Sequence, residues 1–224
     1  MMVINTIATI PDDYQAGWYR FDSSTKIKQG KIYSYHYFAK SLVCYRDKKG
    51  IVNIFDAHCP HLGAHLGVGG KIVDDKLICP FHGWQYNSAG QCVTIPYCKV
   101  IPKKAILQRY ESQEYNGVIY IRYQESIDLL ALPDLCFKNL STLETTQNKL
   151  DKCLRMAPLR QLNFQSIGPG FLFESNQQLL ISVTPIDIDR VILDFSFSYK
   201  KSFHLIQRFS IKRKAKKKFN LLLS

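Results

Sequence analysis

No apolar stretch in this 224-residue chain reaches the roughly 18 residues that a membrane-spanning helix needs. Residues 1–14 lack the basic segment and apolar run of a secretory signal. Seven cysteines, an odd count without such a signal, argue against a disulfide framework. Acidic residues are scarce: 18 Asp and Glu stand against 30 Lys and Arg, a net charge of +12. Histidine is scarcer still, with six. These absences make a cytoplasmic protein the expectation. In a reducing compartment, cysteines spaced with histidines serve metals more often than disulfides. What is present is ordinary for a globular chain with a sizeable core, 46% apolar and 21% charged. The length allows one large domain or two small ones.

The positive charge is uneven. Seven basic residues fall between Arg208 and Lys218 (Arg208, Lys212, Arg213, Lys214, Lys216, Lys217, Lys218) with no acid among them. The plain reading is a solvated C-terminal segment. Leu205, Ile206, Phe209, Ile211, Phe219 and Leu221 interleave with the charges and allow an amphipathic helix on an anionic membrane surface as an alternative. Nucleic acid is not expected as a partner.

Short runs rich in Val, Ile, Tyr and Phe, separated by turn residues, predict strands at 17–21, 32–37, 41–45, 51–56, 76–79, 91–94 and 117–123. Asp47-Lys48-Lys49-Gly50 and Asn87-Ser88-Ala89-Gly90 supply hairpin turns. Such spacing suggests a β-sandwich or barrel. Residues 125–152 are polar, with Leu-rich patches and Pro133, and read as a linker with a short helix or two. A second strand-rich stretch follows, with strands at 162–167, 170–174, 178–184, 190–199 and 203–209 forming a small antiparallel meander.

The chemistry concentrates in two short segments, Ala57-His58-Cys59-Pro60-His61-Leu62-Gly63 and Cys79-Pro80-Phe81-His82-Gly83-Trp84. The pattern is Cys-x-His, then residues 62–78, then Cys-x-x-His. Each loop offers one thiolate and one imidazole. A [2Fe–2S] cluster with one iron on two Cys and the other on two His needs such a set. Cys59 and Cys79 are assigned to one iron, His61 and His82 to the other. Glycines at 63, 67, 69, 70 and 83 let the backbone turn and approach closely. Pro60 and Pro80 stiffen the loops. Structural zinc is the competing reading. A zinc finger, however, groups its cysteines apart from its histidines, whereas each pair here is mixed.

Spelled out as Cys-Pro-His-Leu-Gly and Cys-Pro-Phe-His-Gly-Trp, these motifs resemble the Rieske iron–sulfur family. The wider stretch (53–56, 59–66, 69–71, 79–86, 94–97) resembles the N-terminal half of Rieske non-haem iron oxygenases. Within them it is most similar to the sterol branch, the cholesterol 7-desaturases and ketosteroid hydroxylases. Residues 114–121, Glu-Tyr-Asn-Gly-Val-Ile-Tyr-Ile, match the strand that closes the domain there. The resemblance covers residues 16–123 and, more weakly, 160–200. It implies a mainly β chain: a Rieske β-sandwich followed by a short remnant of an α+β helix-grip catalytic domain. The implied boundaries are an N-terminal segment at 1–15, the Rieske domain at 16–123, a linker at 124–155, and a partial catalytic-domain-like sheet with its basic tail at 156–224. Respiratory Rieske proteins carry an extra disulfide-bonded cysteine in each loop. Ala64 and Phe81 stand at those places, so the potential is expected towards the low end of about −150 to +300 mV. Such a potential suits an electron relay fed by a ferredoxin or flavin reductase.

The resemblance also implies a mononuclear Fe(II) held by two His and a carboxylate in the second domain. Its ligands are not found. The histidines are His36, His58, His61, His65, His82 and His204, and none lies between 124 and 203. The iron-bearing segment reads as deleted near 152–160. Three functions follow. One is a cluster-only oxidoreductase passing single electrons, with a full-length oxygenase paralogue as a possible assembly partner. Another is an active oxygenase or desaturase on a sterol-like substrate, and the third a non-catalytic binding module. No catalytic residue is assigned. His58 and His65 read as loop residues outside the ligand set, and Trp84 and Tyr86 as core aromatics beneath it. Cys92 and Cys98, with five residues between them, could pair on a second metal; the plainer reading, shared with Cys44, Cys136 and Cys153, is small apolar packing.

Overall fold

A computed structural model describes residues 14, 16–124, 136–146, 165–168, 171–174, 179–187 and 189–199. The expected strand at 203–209, the basic tail, the segment 152–160 and Cys153 lie outside the described residues. The chain divides into two compact units. One is Ser23–Glu114; the other joins Met1–Asp22 to Tyr115–Ser224.

The first unit holds two four-stranded sheets. One has the order β2 (Ile32–Tyr37), β3 (Lys40–Arg46), β4 (Val52–Asp56), β9 (Arg109–Tyr110). The other runs β5 (Lys71–Val73), β6 (Lys76–Ile78), β7 (Gln85–Tyr86), β8 (Cys92–Thr94). Their pairing is antiparallel throughout. Val43, Tyr45, Phe55, Leu77 and Tyr86, from strands of both sheets, form one core with Leu66 and Leu107 of the connecting segments. In β3, Leu42, Val43, Cys44 and Tyr45 are all buried, so this strand is covered on both faces. The turns work as the sequence leads one to expect. Asp47 Oδ1 accepts from the amides of Lys49 (3.0 Å) and Ile51 (2.9 Å). Asn87 Oδ1 accepts from those of Ala89 and Gln91, both at 3.0 Å. In each case a short polar side chain satisfies amides that the turn would leave bare.

The second unit holds β1 (Gly17–Ser23) beside β11 (Val118–Tyr123), and β10 (Ser112–Tyr115) falls at the boundary of the units. It also holds a five-stranded meander of order β12 (Cys136–Thr146), β16 (Arg190–Tyr199), β15 (Leu179–Pro185), β14 (Phe171–Glu174), β13 (Gln165–Gly168). Trp18, Val118, Tyr120, Phe171 and Leu180 share a core. Arg20 Nη1 meets Asp194 Oδ2 at 2.9 Å with both side chains buried. Thr142 Oγ1 donates to Asp194 Oδ1 at 2.6 Å, and Thr184 Oγ1 donates to the Arg20 carbonyl at 2.8 Å. Thus the first strand of the stretch read as 16–123 packs with the second sheet, and the compact units part at 22/23 and 114/115.

One expectation is corrected. Residues 136–146 are not linker or helix; they form an 11-residue strand paired with β16 from Cys136↔Tyr199 to Thr146↔Arg190. Its polar, Leu-punctuated sequence hides the strand because polarity there reflects an exposed face, on which Thr142 and Glu144 lie. The partner strand supplies the ladder that local propensity does not announce. Among the described residues the one helical element is the 3-10 turn Ser24–Lys26. The molecule is mainly β, as expected.

Candidate metal centre

The two ligand-bearing loops are built alike. The Cys59 amide donates to the Ala64 carbonyl at 2.9 Å, and Gly63 N donates to the Cys59 carbonyl at 2.9 Å. In the second loop the Cys79 amide donates to the Trp84 carbonyl at 2.9 Å, and Gly83 N donates to the Cys79 carbonyl at 3.1 Å. Each loop therefore closes on itself five residues after its cysteine. The tight return needs a left-handed residue, and Gly63 (φ +74°) and Gly83 (φ +68°) take it. A β-carbon at Gly83 would also stand 2.9 Å from Pro96 Cγ. Sheet β5–β8 fixes the spacing: the second loop joins β6 to β7, and Lys71, which opens β5, pairs with Ile78 beside Cys79.

The loops face each other across a cavity of about 270 Å³ lined by Cys59, His61, Leu62, Gly63, Ala64, Cys79, Phe81 and His82. The two cysteines are buried on the core side. The imidazoles lie together, with ring centroids 4.7 Å apart at 78°. His61 is half-buried and His82 exposed. His61 stacks flat on Trp84 (4.5 Å, 12°), and the Trp84 indole N–H donates to the Tyr97 hydroxyl at 2.7 Å. The Tyr86 hydroxyl lies 3.0 Å from Cys59 Sγ in the buried floor. Burial, with a smaller contribution from the nearby Cys79, pushes the Cys59 thiol up despite the Tyr86 bond. A thiolate there needs a cation for company.

The donor set fits an iron–sulfur cluster. His61 Nδ1 is buried and has no hydrogen-bond partner in the structure. A ring nitrogen left bare in this way is costly unless something else takes it up. Two soft sulfurs on one side of the cavity and two imidazoles on the other match two irons of unlike ligation. Among the described residues, no three or more His, Cys, Asp or Glu side chains converge on one ion position, as a tetrahedral zinc site would require.

All four sequence-assigned residues are thus brought to one place. His58 and His65 bridge across the base of the first loop, with rings 5.3 Å apart, and His65 Nδ1 accepts from Gly67 N. Cys92 is buried and Cys98 exposed, each with its sulfur turned to a local carbonyl (Thr94 and Val100). Sequence reading placed Tyr86 and Trp84 as packing aromatics. It did not find the Tyr86 bond to sulfur or the part of Tyr97. Six residues separate Cys79 from Tyr86, which is the buried residue of β7. That spacing was the available signal.

The Rieske [2Fe–2S] domain model matches residues 17–111. Cholesterol 7-desaturase nvd of Drosophila melanogaster is 44% identical over 121 residues, 54% of this chain and 28% of that protein. The 3-ketosteroid-9-alpha-monooxygenase oxygenase component of Rhodococcus rhodochrous is 34% identical over 114 residues, 51% of this chain and 29% of that protein. Among solved structures, the reduced complex between oxygenase and ferredoxin in carbazole 1,9a-dioxygenase aligns with a TM-score of 0.71 at 13% identity, over 94% of this chain and 77% of the other. Dicamba monooxygenase aligns with 0.66 at 16% identity, over 86% and 79%. Residues 17–111 are a Rieske [2Fe–2S] domain. Over that domain the chain is similar to sterol-branch members of the Rieske oxygenase family. The matched segment spans less than a third of either curated relative. No helix among the described residues is long and apolar enough to cross a membrane.

Proposed function

We propose that this chain is a one-electron oxidoreductase in which Cys59 and Cys79 hold one iron of the cluster and His61 and His82 the other. The observation that carries the reading is the pair of matching loops, which set two buried sulfurs and two imidazoles around one cavity, with His61 Nδ1 left bare. A [2Fe–2S] cluster supplies reversible one-electron chemistry when bound. The residues do the rest. Tyr86 donates to the Cys59 sulfur, Trp84 stacks on His61, and His82 is exposed at the surface. The electron donor is a ferredoxin or flavin reductase, in a reducing, cytoplasmic setting that keeps the cysteines free.

We place no mononuclear-iron O₂ chemistry in this chain. Once the cluster pair and its flanking histidines are set aside, only His36 and His204 remain. His36 lies on β2 in the first unit, and residues 124–203 contain no histidine. The meander of residues 165–199 is read as the counterpart of the family's catalytic sheet, acting with a full-length oxygenase paralogue where O₂ is used. The second reading is an active desaturase on a sterol-like substrate, favoured by the 44% identity to a cholesterol 7-desaturase.

The test is iron and acid-labile sulfide per chain on anaerobically reconstituted protein, with EPR after reduction. About two irons with a Rieske signal, and no sterol turnover with O₂ and a reductase, is the expected result. About three irons, one of them perturbed by nitric oxide, favours the desaturase.

A further inference from the structure

A tyrosine on an exposed turn reaches the imidazoles of the metal centre from outside both ligand loops. The turn is Ile95-Pro96-Tyr97-Cys98, closed where Cys98 N donates to the Ile95 carbonyl at 3.2 Å. Pro96 in its second position presets the backbone. Two contacts hold the turn. Ile95 is buried in the same core as Cys59, Cys79 and Trp84. Pro96 packs on Gly83, between His82 and Trp84, which is why a β-carbon at Gly83 would stand only 2.9 Å from it. Tyr97 itself is 61% exposed.

The exposed residue serves a buried one. The Tyr97 hydroxyl accepts the indole N–H of Trp84 at 2.7 Å, and Trp84 is 6% exposed. Trp84 in turn lies flat on His61, at 4.5 Å and 12°. The Tyr97 ring also lies 6.5 Å from that of His82, edge-on at 75°. One side chain outside the ligand set therefore borders both imidazoles, His82 directly and His61 through Trp84. The two links are unequal. The hydrogen bond is short and directional, whereas the ring pair stands near the outer limit of aromatic contact. Without the hydroxyl, the indole N–H is a buried donor that gains by turning towards water.

Surroundings that orient a ligating histidine also tune the metal it holds. We propose that Tyr97 is a positioning residue for the metal centre: its hydroxyl fixes the Trp84 indole, and the indole fixes the plane of His61. This rests on the cluster reading given above. Charge sets the direction of the effect. Two thiolates and two neutral imidazoles leave a [2Fe–2S] group neutral when oxidised and negative when reduced. Trp84 covers one face of the half-buried His61 ring. An indole that turns away admits water there, and water favours the charged, reduced form. Loss of the Tyr97 hydroxyl therefore raises the potential.

The test is Tyr97→Phe in the reconstituted chain, which keeps the ring and removes the acceptor. Tyr97→Leu, which also takes the ring away from His82, is measured beside it. The chain has two tryptophans, and the Trp18 indole nitrogen is buried with no hydrogen-bond partner. The ultraviolet resonance Raman marker of a hydrogen-bonded indole N–H therefore reports Trp84, and it should vanish in both variants. Iron content should match the parent. The EPR signal of the reduced protein should broaden, because His61 then samples more than one plane. The equilibrium constant for reduction should rise about threefold, which at about 59 mV per tenfold is about 30 mV. Leu should add nothing to the effect of Phe. An unmoved potential and EPR signal, with the Raman marker lost, would overturn the inference, since the hydroxyl would then only cap the indole. A parent-like Phe variant beside a shifted Leu variant would overturn it too, because Tyr97 would then act on His82 through its ring. A parent chain with no Rieske signal would sink the cluster reading and this inference with it.

Discussion

Replacing Tyr86 by Phe removes one hydroxyl and nothing else. That hydroxyl stands 3.0 Å from Cys59 Sγ in a fully buried position. Burial, with Cys59 adding to it, raises the Tyr86 phenol far above its ordinary value, so it stays a donor at every working pH. A hydrogen bond to a charged acceptor contributes about 1.5–3 kcal/mol and one to a neutral acceptor about 1. Reduction adds negative charge near the sulfur and moves the bond towards the stronger class. The difference between oxidation states is therefore about 1 kcal/mol. For one electron, 59 mV corresponds to about 1.4 kcal/mol, so Tyr86→Phe should lower the midpoint by about 40 mV. The assay is a potentiometric titration followed by EPR or circular dichroism. Phe keeps the ring volume, so the variant should melt within a few degrees of the parent. An unchanged or higher midpoint in a folded, cluster-loaded variant would refute the reasoning, because the donor would then not favour the reduced state.

His61→Cys should retain a cluster with a lower midpoint, since a thiolate brings negative charge to a position where a neutral imidazole stood; a higher midpoint in redox titration contradicts the ligand assignment. Asp194→Asn strips the buried Arg20 guanidinium of its counter-charge in the second unit, and should cost about 3–5 kcal/mol in denaturant unfolding. A loss below about 1 kcal/mol would mean that water reaches the pair. Burial pushes Tyr45 up to about 12, with Asp47 and Asp75 adding to the shift. Its folded value is thus above the unfolded value of about 10. The neutral phenol favours the folded state in full below pH 10, and that contribution fades as pH rises from 10 through 12. Unfolding free energy should fall across this window by less in Tyr45→Phe than in the parent; equal slopes would reject Tyr45 as a source.

The sheets of the first unit were legible because their local signals agree. Ile32–Tyr37 was expected at its observed bounds, and Arg190–Tyr199 likewise in the second unit. Both are long runs of β-branched and aromatic residues between clear breakers. The short strands Lys71–Val73, Gln85–Tyr86, Arg109–Tyr110 and Ser112–Tyr115 were not. With two to four residues each, they have no period of their own and exist because a neighbour pairs with them. Arg20 teaches the same lesson at longer range. Nothing near it in sequence indicates a buried cation, and its partner Asp194 lies 174 residues away.

The metal centre divides along the same line. Ligand identity was readable, because four donors in two mixed pairs are a chemical statement that spacing alone transmits. What adjusts the ligands was not, because Tyr86, Trp84 and Tyr97 act through single atoms whose placement depends on sheet register. Tyr86 pairs with Leu77 and Cys92, and the pairing slips between Gln85 and Tyr86 where β7 meets β8. The extra residue at that slip is Val93 of β8, while Tyr86 keeps the regular register with β6 that turns its hydroxyl into the buried floor, 3.0 Å from sulfur. A motif can therefore fix which atoms hold the irons. What adjusts those atoms hangs from β7, which at two residues is too short to have been foreseen, although its neighbour β8 falls within the strand expected at 91–94.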